Sequence, residues 1–297
     1  MTDLAALGRD FDSAGLDAEL AGLDALEFPD EPRRRVGRAL WSATWPKLAA
    51  IGVGLGIWYI VVWSGWKPKY LLPWPHDVLS RLWTDTANGK LPDAIAITMQ
   101  RAASGFAIAV LIGGTVGVLV SRWKVLRVAI GSFITGLQTM PSIAWFPLAI
   151  LLFKLSEGAI TFVLVLGAAP AIANGVISGS DQVSPLLLRG GKVLGAKGFG
   201  LYRTVTFPAS VPSLIGGLKQ GWAFAWRSLL AGELLVIVPK VFSIGARLQN
   251  ARDLFDVPGL QSTMIVILIV GILVDAVVFG TLERFVRKRW GLVDPAG

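Results

Sequence analysis

The sequence predicts an all-α membrane protein with six transmembrane helices, and three observations carry that expectation. The 297 residues are 54% hydrophobic and only 16% charged, with a mean hydropathy of +0.62, too apolar for an ordinary soluble domain. Charge-free windows at 48–66, 102–121, 128–153 and 158–180 have the length, about 20 residues, that a helix needs to cross hydrocarbon. Two more apolar stretches follow, 212–239 with Lys219, Arg227 and Glu233 inside it and 257–282 with Asp275.

In chain order, the first element is an acidic N-terminal cytoplasmic extension, residues 1–40. Residues 1–31 carry nine acidic side chains against Arg9 alone, and this start is not expected to be a cleaved signal peptide. Leu16, Leu20 and Leu23 fall on one helical face. Two readings stand, a partly disordered tail with a basic stop at Arg33, Arg34, Arg35 and Arg38, or a short amphipathic helix that docks on a partner. The transmembrane domain then occupies 41–297, with a cytoplasmic loop at 181–211.

Between the first two spans, LLPWPHDVLSRLW predicts an outward turn and an interfacial amphipathic helix, with Trp74 and Trp83 at headgroup level. His76, the only histidine, is expected at the surface near the start of that helix. Glycines four apart, Gly52/Gly56, Gly113/Gly117 and Gly217/Gly221, suit close helix packing in lipid. In the third span, QTMPSIAWFPLAILLF puts Pro141 and Pro147 at depth. Proline removes backbone donors and breaks a helix, and irregular backbone at depth is tolerated only beside protein or a water-filled cavity. Gln138, Met140, Pro141, Ser142 and Trp145 are therefore candidate pathway residues.

Orientation follows from charge. Lys and Arg number seventeen in the segments on the side of both termini and nine in the opposite loops, which predicts cytoplasmic termini and a cytoplasmic 181–211 loop. The same asymmetry accounts for the basic excess without nucleic acid. Absence of cysteine excludes disulfides and thiol chemistry.

The 181–211 loop is basic and glycine-rich. Gly190 and Gly195 stand five apart as in a phosphate-binding P-loop, but Ala196 and Lys197 occupy the places where that motif needs Lys and Ser or Thr. An intramembrane enzyme would need a carboxylate pair, a Ser/Lys dyad or His ligands at depth, and Glu233 and Asp275 should lie at different depths. A secondary transporter should show inverted repeats, and none is visible.

Across most of 70–292 the chain resembles the permease subunits of type I ABC importers, in the nitrate, sulfonate and taurine branch. The resemblance rests on LPWPHDVL, TMQRAASGFAIAVLIGGTVGVLVSR, QTMPSIAWFPLAILLF, AWRSLLAGELL, the terminal Arg289-Trp290-Gly291 and the 181–211 loop. That family carries Glu-Ala-Ala, three residues, Gly, then about a dozen residues to Leu-Pro. Here Arg189, Gly190 and Gly191 replace the Glu-Ala-Ala, Gly195 holds the glycine, and Phe207-Pro208 holds the Leu-Pro.

The resemblance implies a coupling helix that enters a groove of an ATP-binding subunit, with Gly195 at a tight turn. Ala196 lies within that element, Phe199, Leu201, Tyr202 and Val205 are its expected apolar anchor, and Lys197 and Arg203 its charge; Arg189 implies an acid in the partner groove. It further implies a homodimer, an extracytoplasmic substrate-binding protein, the bacterial inner membrane, and ATP and Mg²⁺ held by the ATPase rather than by this chain.

Two charge sets complete the expectations. Counted at 1.5 Å per residue, Lys219 and Asp275 both lie about 10 Å from the cytoplasmic ends of their helices, which predicts an ion pair. Arg227, about 22 Å in, is a candidate to meet an oxyanion with its planar fork. Glu233 is six residues and about 240° from Arg227 on a helix, which disfavours a pair between them within one subunit but not across a dimer. Nearer the outer mouth of the pathway, with a charge that repels anions, it is expected as a gate or packing partner.

Overall fold

The structure, a computed structural model, describes residues 36–239 and 241–290. The acidic segment 1–31 and the amphipathic helix expected there lie outside them, as does Gly291. Among the described residues every regular element is helical, and they divide into two units at Ser64/Gly65.

The first unit holds α1 (Val36–Trp63), which contains Pro46 and is free of charge from Leu48 onward. The second unit contains α2 (Pro75–Ala87), α3 (Lys90–Arg122), α4 (Lys124–Thr139), α5 (Phe146–Phe153), α6 (Glu157–Asp181), α7 (Pro185–Val193), α8 (Gly198–Leu201), α9 (Phe207–Leu235), α10 (Ile244–Asp253), α11 (Val257–Val274) and α12 (Gly280–Arg289). Capping sets several of these starts. Ser184, Ser243 and Asp256 accept hydrogen bonds from the backbone N–H groups of Leu186, Ala246 and Gly259, replacing partners that the first helical turn lacks. Pro75, Pro147, Pro185 and Pro258 sit in first turns, where a missing N–H costs nothing.

Among the described residues four helices are long and apolar enough to cross a membrane: Thr44–Trp63, Lys90–Arg122, Glu157–Asp181 and Val257–Arg289. The expected third span is not a continuous helix. α4 and the Ser142–Phe153 segment are bent by 102° across Met140-Pro141, and counting them as one span makes five. α9 has 29 residues but carries Lys219, Arg227 and Glu233 and is outside that count. The six expected spans thus map onto four apolar helices, one bent pair and α9.

The centre of the second unit is α6, packed between α3 and α9. Phe146, Ile160, Leu164, Ile172, Leu229 and Ile244 are its largest fully buried apolar side chains, and in lipid, itself as apolar as they are, they contribute through close van der Waals packing rather than through removal from water. α6 and α9 come close at Gly175 and Gly217, where a Cβ on either would strike the other's backbone. Gly113, Gly117 and Gly221 also face α6, whereas Gly52 and Gly56 of α1 have open space where a Cβ would go.

Two boundaries differ from expectation. α9 begins at Phe207 rather than near 212 and is continuous with α8 through a π-helical turn at Tyr202–Thr206. Pro212 therefore lies inside a helix. It has no N–H for the carbonyl four residues earlier, and Trp290 Nε1 donates to that freed Pro208 oxygen at 2.9 Å. The sixth span is likewise interrupted by a π-helical turn at Asp275–Phe279.

Candidate functional site

The backbone break at Met140-Pro141 opens a cavity of about 330 Å³. Gln138, Met140, Pro141 and Ser142 line it from the α4 side, Gly167 from α6, and Phe224 and Arg227 from α9. Five expected pathway residues therefore meet at one place. The reason is local: Pro141 stops α4, the chain turns through Ser142–Trp145 as a single 3₁₀ turn, and Pro147 starts α5. The concave side of that bend faces α9.

Arg227 is exposed. Its Nε donates to the Ala223 carbonyl at 3.1 Å, and its guanidinium carbon lies 4.7 Å from the Phe224 ring centroid. Its terminal Nη groups make no hydrogen bond among the described residues, and no carboxylate lines the cavity. Gln138 Oε1 accepts from Asn174 Nδ2 at 2.8 Å, while its Nε2 is buried without a partner among the described residues. A cation and an unspent amide donor beside a cavity of this size can bind a small anion with little prior disruption.

Trp145 and Glu233, also expected along a pathway, are not in that cavity. Trp145 packs half-buried against the core. Glu233 has a fully buried side chain that accepts from Arg101 Nη1 at 2.8 Å, from Thr98 Oγ1 at 3.0 Å and from the Gly245 N–H at 3.0 Å. Arg101 also forks onto Glu157, and Thr98 Oγ1 accepts from the Ile244 N–H at 3.0 Å. The network ties α3, the start of α6, the end of α9 and the start of α10, so Glu233 is a packing partner. A carboxylate at the first turn of α10 also complements the helix dipole.

A second network, which sequence reasoning missed, joins α2, α10 and α11. Buried Asp85 pairs with Arg81 at 3.1 Å and with Arg247. Arg81 reaches Asp256 at 2.7 Å, and Arg247 Nε reaches Thr263 Oγ1 at 3.1 Å. The four-residue spacing of Arg81 and Asp85 was a usable signal; the distant partners were not.

Lys219 Nζ lies 3.2 Å from Asp275 Oδ2, both side chains half-exposed. Asp275 opens the π-helical turn, and turns of that kind recur at functional positions in helices. Among the described residues no cluster of three or more His, Asp or Glu could hold a metal ion.

In the 181–211 loop, α7 ends in a Schellman arrangement. Ala196 N–H bonds to the Gly191 carbonyl at 2.9 Å and Gly195 N–H to the Lys192 carbonyl at 3.0 Å. Gly195 has φ +88°, the left-handed conformation such a cap requires. Arg189, Gly190, Lys197 and Arg203 are exposed, and Ala196 and Pro208 are half-buried. The expected apolar anchor divides. Leu201 and Val205 pack inward on Gly191, where a Cβ would come within 2.8 Å of each, and Tyr202 is half-buried with the Arg122 guanidinium 5.4 Å from its ring centroid. Phe199 alone of that set faces outward, joined by exposed Leu186, Val193 and Leu194.

Comparison with known proteins bears on the same region. The profile of the binding-protein-dependent transport system inner membrane component family matches residues 105–291. A probable ABC transporter permease protein of Brucella melitensis is 31% identical over 228 residues, covering 77% of this chain and 90% of its own. A putative aliphatic sulfonates transport permease protein of Escherichia coli is 27% identical over 236 residues, 77% and 86% of the two chains. A nitrate import permease protein of Synechocystis is 27% identical over 256 residues, 83% and 88%.

Proposed function

Because the chain belongs to the family of binding-protein-dependent transport system inner membrane components, we propose that it is the permease subunit of an ABC importer whose route for a small oxyanion runs past Arg227. One observation carries the oxyanion reading. The free guanidinium end of Arg227 stands at a cavity without carboxylates, formed where the backbone of the α4–α5 bend is irregular. A charge at bilayer depth costs at least about 2.5–3.5 kcal/mol and marks an ion path by default. The sulfonate and nitrate relatives fit that chemistry, as do taurine and bicarbonate as substrates.

In this reading two copies of the chain face each other. An extracytoplasmic binding protein delivers the anion, and two ATPase subunits bind ATP and Mg²⁺ and engage the 181–211 loops. Nucleotide-driven closure of the ATPases draws the loops together and opens the pathway alternately to each side. The exposed Leu186, Val193, Leu194 and Phe199 form the apolar contact and Arg189, Lys197 and Arg203 its charged rim. Both termini are cytoplasmic, and all six segments cross the membrane.

The test is ATP-driven uptake of taurine, ethanesulfonate and nitrate by the reconstituted complex. Arg227→Lys should assemble and transport weakly, since it keeps the charge and loses the fork. Arg227→Gln should assemble and transport nothing. Full anion uptake by Arg227→Gln removes Arg227 from the pathway, and uptake of a neutral solute with all three anions ignored redirects the substrate class.

A further inference from the structure

Resting on the oxyanion reading, we infer that Ser228 supplies a second, concealed donor to the same anion and that Gly167 is the window through which it is reached. Ser228 follows Arg227 on α9 and is 0% exposed. Its Oγ has no hydrogen-bond partner among the described residues, although a serine within a helix ordinarily turns its hydroxyl onto a carbonyl of the preceding turn. A buried hydroxyl left unpaired carries a desolvation penalty without return, and such groups in native proteins call for an explanation. Gln138 Nε2, at the opposite wall, is in the same condition.

Gly167 explains the position. It lines the cavity, and a Cβ built on it would lie 2.5 Å from Ser228 Oγ and 3.6 Å from Ser142 Cβ. Any larger residue would collide with the Ser228 hydroxyl. Glycine leaves too little room even for a methyl group, so the Ser228 hydroxyl lies directly behind the cavity wall that Gly167 forms, with no side chain of residue 167 between them, and Ser142 borders it on the cavity side. An anion held by Arg227 and drawn against this wall can receive the Ser228 O–H and the Gln138 N–H, both otherwise unused. The site then offers an anion one cation and two donors with no carboxylate in the lining, which disfavours cations.

The experiment uses the complete complex of permease, ATPase and binding protein in proteoliposomes, with taurine and nitrate as probes at saturating binding protein, and thermal unfolding of the same complex. Removing an unsatisfied buried hydroxyl should leave stability unchanged or raise it, so Ser228→Ala should melt no lower than the parent. Its uptake should nevertheless fall roughly tenfold, the loss of one hydrogen bond to a charged group. Gly167→Ala should slow uptake by displacing the hydroxyl. Gly167→Ala/Ser228→Gly, which relieves the contact without restoring the donor, should assemble normally and stay slow.

Full uptake by Ser228→Ala overturns the inference and leaves a trapped water as the partner of the hydroxyl. Parallel loss of stability and uptake also overturns it, since that marks a packing role. The Arg227→Gln result separates the two readings. If that variant is inactive and Ser228→Ala is fully active, the oxyanion pathway stands and only the concealed donor falls.

Discussion

At the scale of single residues, the buried carboxylate of Glu233 gives the sharpest test of what holds one end of the bundle together. Arg101→Met would leave it with neutral donors alone, and breaking one side of a buried ion pair costs roughly 3–5 kcal/mol. Thermal unfolding of the purified complex should show that loss, and adding Glu233→Gln should recover a large part of it; a double variant as unstable as the single would contradict this account. The half-exposed Lys219–Asp275 pair should behave similarly on a smaller scale, with each single neutralisation lowering membrane expression more than both together. Counting helical rise from Pro212 and from the end of the sixth span brought Lys219 and Asp275 to one level, although α9 begins earlier, at Phe207. Arg101 escaped notice because it stands one residue outside a charge-free window, and its partners lie 56 and 132 positions away. Pairings of that kind depend on how helices are placed, and no local spacing encodes them.

Among elements, the end of α7 shows most directly how one residue type serves one geometry. Gly195 at φ +88° closes the Schellman cap, and a β-branched residue is strained there. Gly195→Val should insert into the membrane normally yet fail to couple ATP hydrolysis to uptake, whereas Gly195→Asn, tolerant of the left-handed region, should retain much of both. Equal transport by the Val variant would show that this turn does not transmit force. The need for a turn at Gly195 was legible in the loop's resemblance to a known motif, and the bend after α4 was legible in Pro141 and Pro147. The inward packing of Leu201 and Val205 was not, since it requires knowing that Gly191 presents a bare backbone to the returning helix.

Across the whole molecule, the absence of cysteine supplies a ready background for mapping sidedness. With a membrane-impermeant maleimide on intact cells, Leu254→Cys, exposed between α10 and α11, should be labelled, and Lys192→Cys, exposed on α7, only after lysis. The reverse pattern would invert the orientation drawn from charge. The central triad of α3, α6 and α9 should move as one body, since Gly175 and Gly217 leave no slack between α6 and α9, and the 181–211 loop joins those two helices. The bond from Trp290 to the Pro208 carbonyl reaches beyond this one chain, into descent. Pro212 creates the unclaimed oxygen and the indole claims it, so neither residue is useful without the other. A lineage that replaces the proline returns an N–H to the helix and frees the tryptophan to drift, while one that loses the tryptophan first carries an orphaned acceptor until the proline follows. Aligned relatives should therefore keep or lose the two together, more often than either position's own rate of change would give.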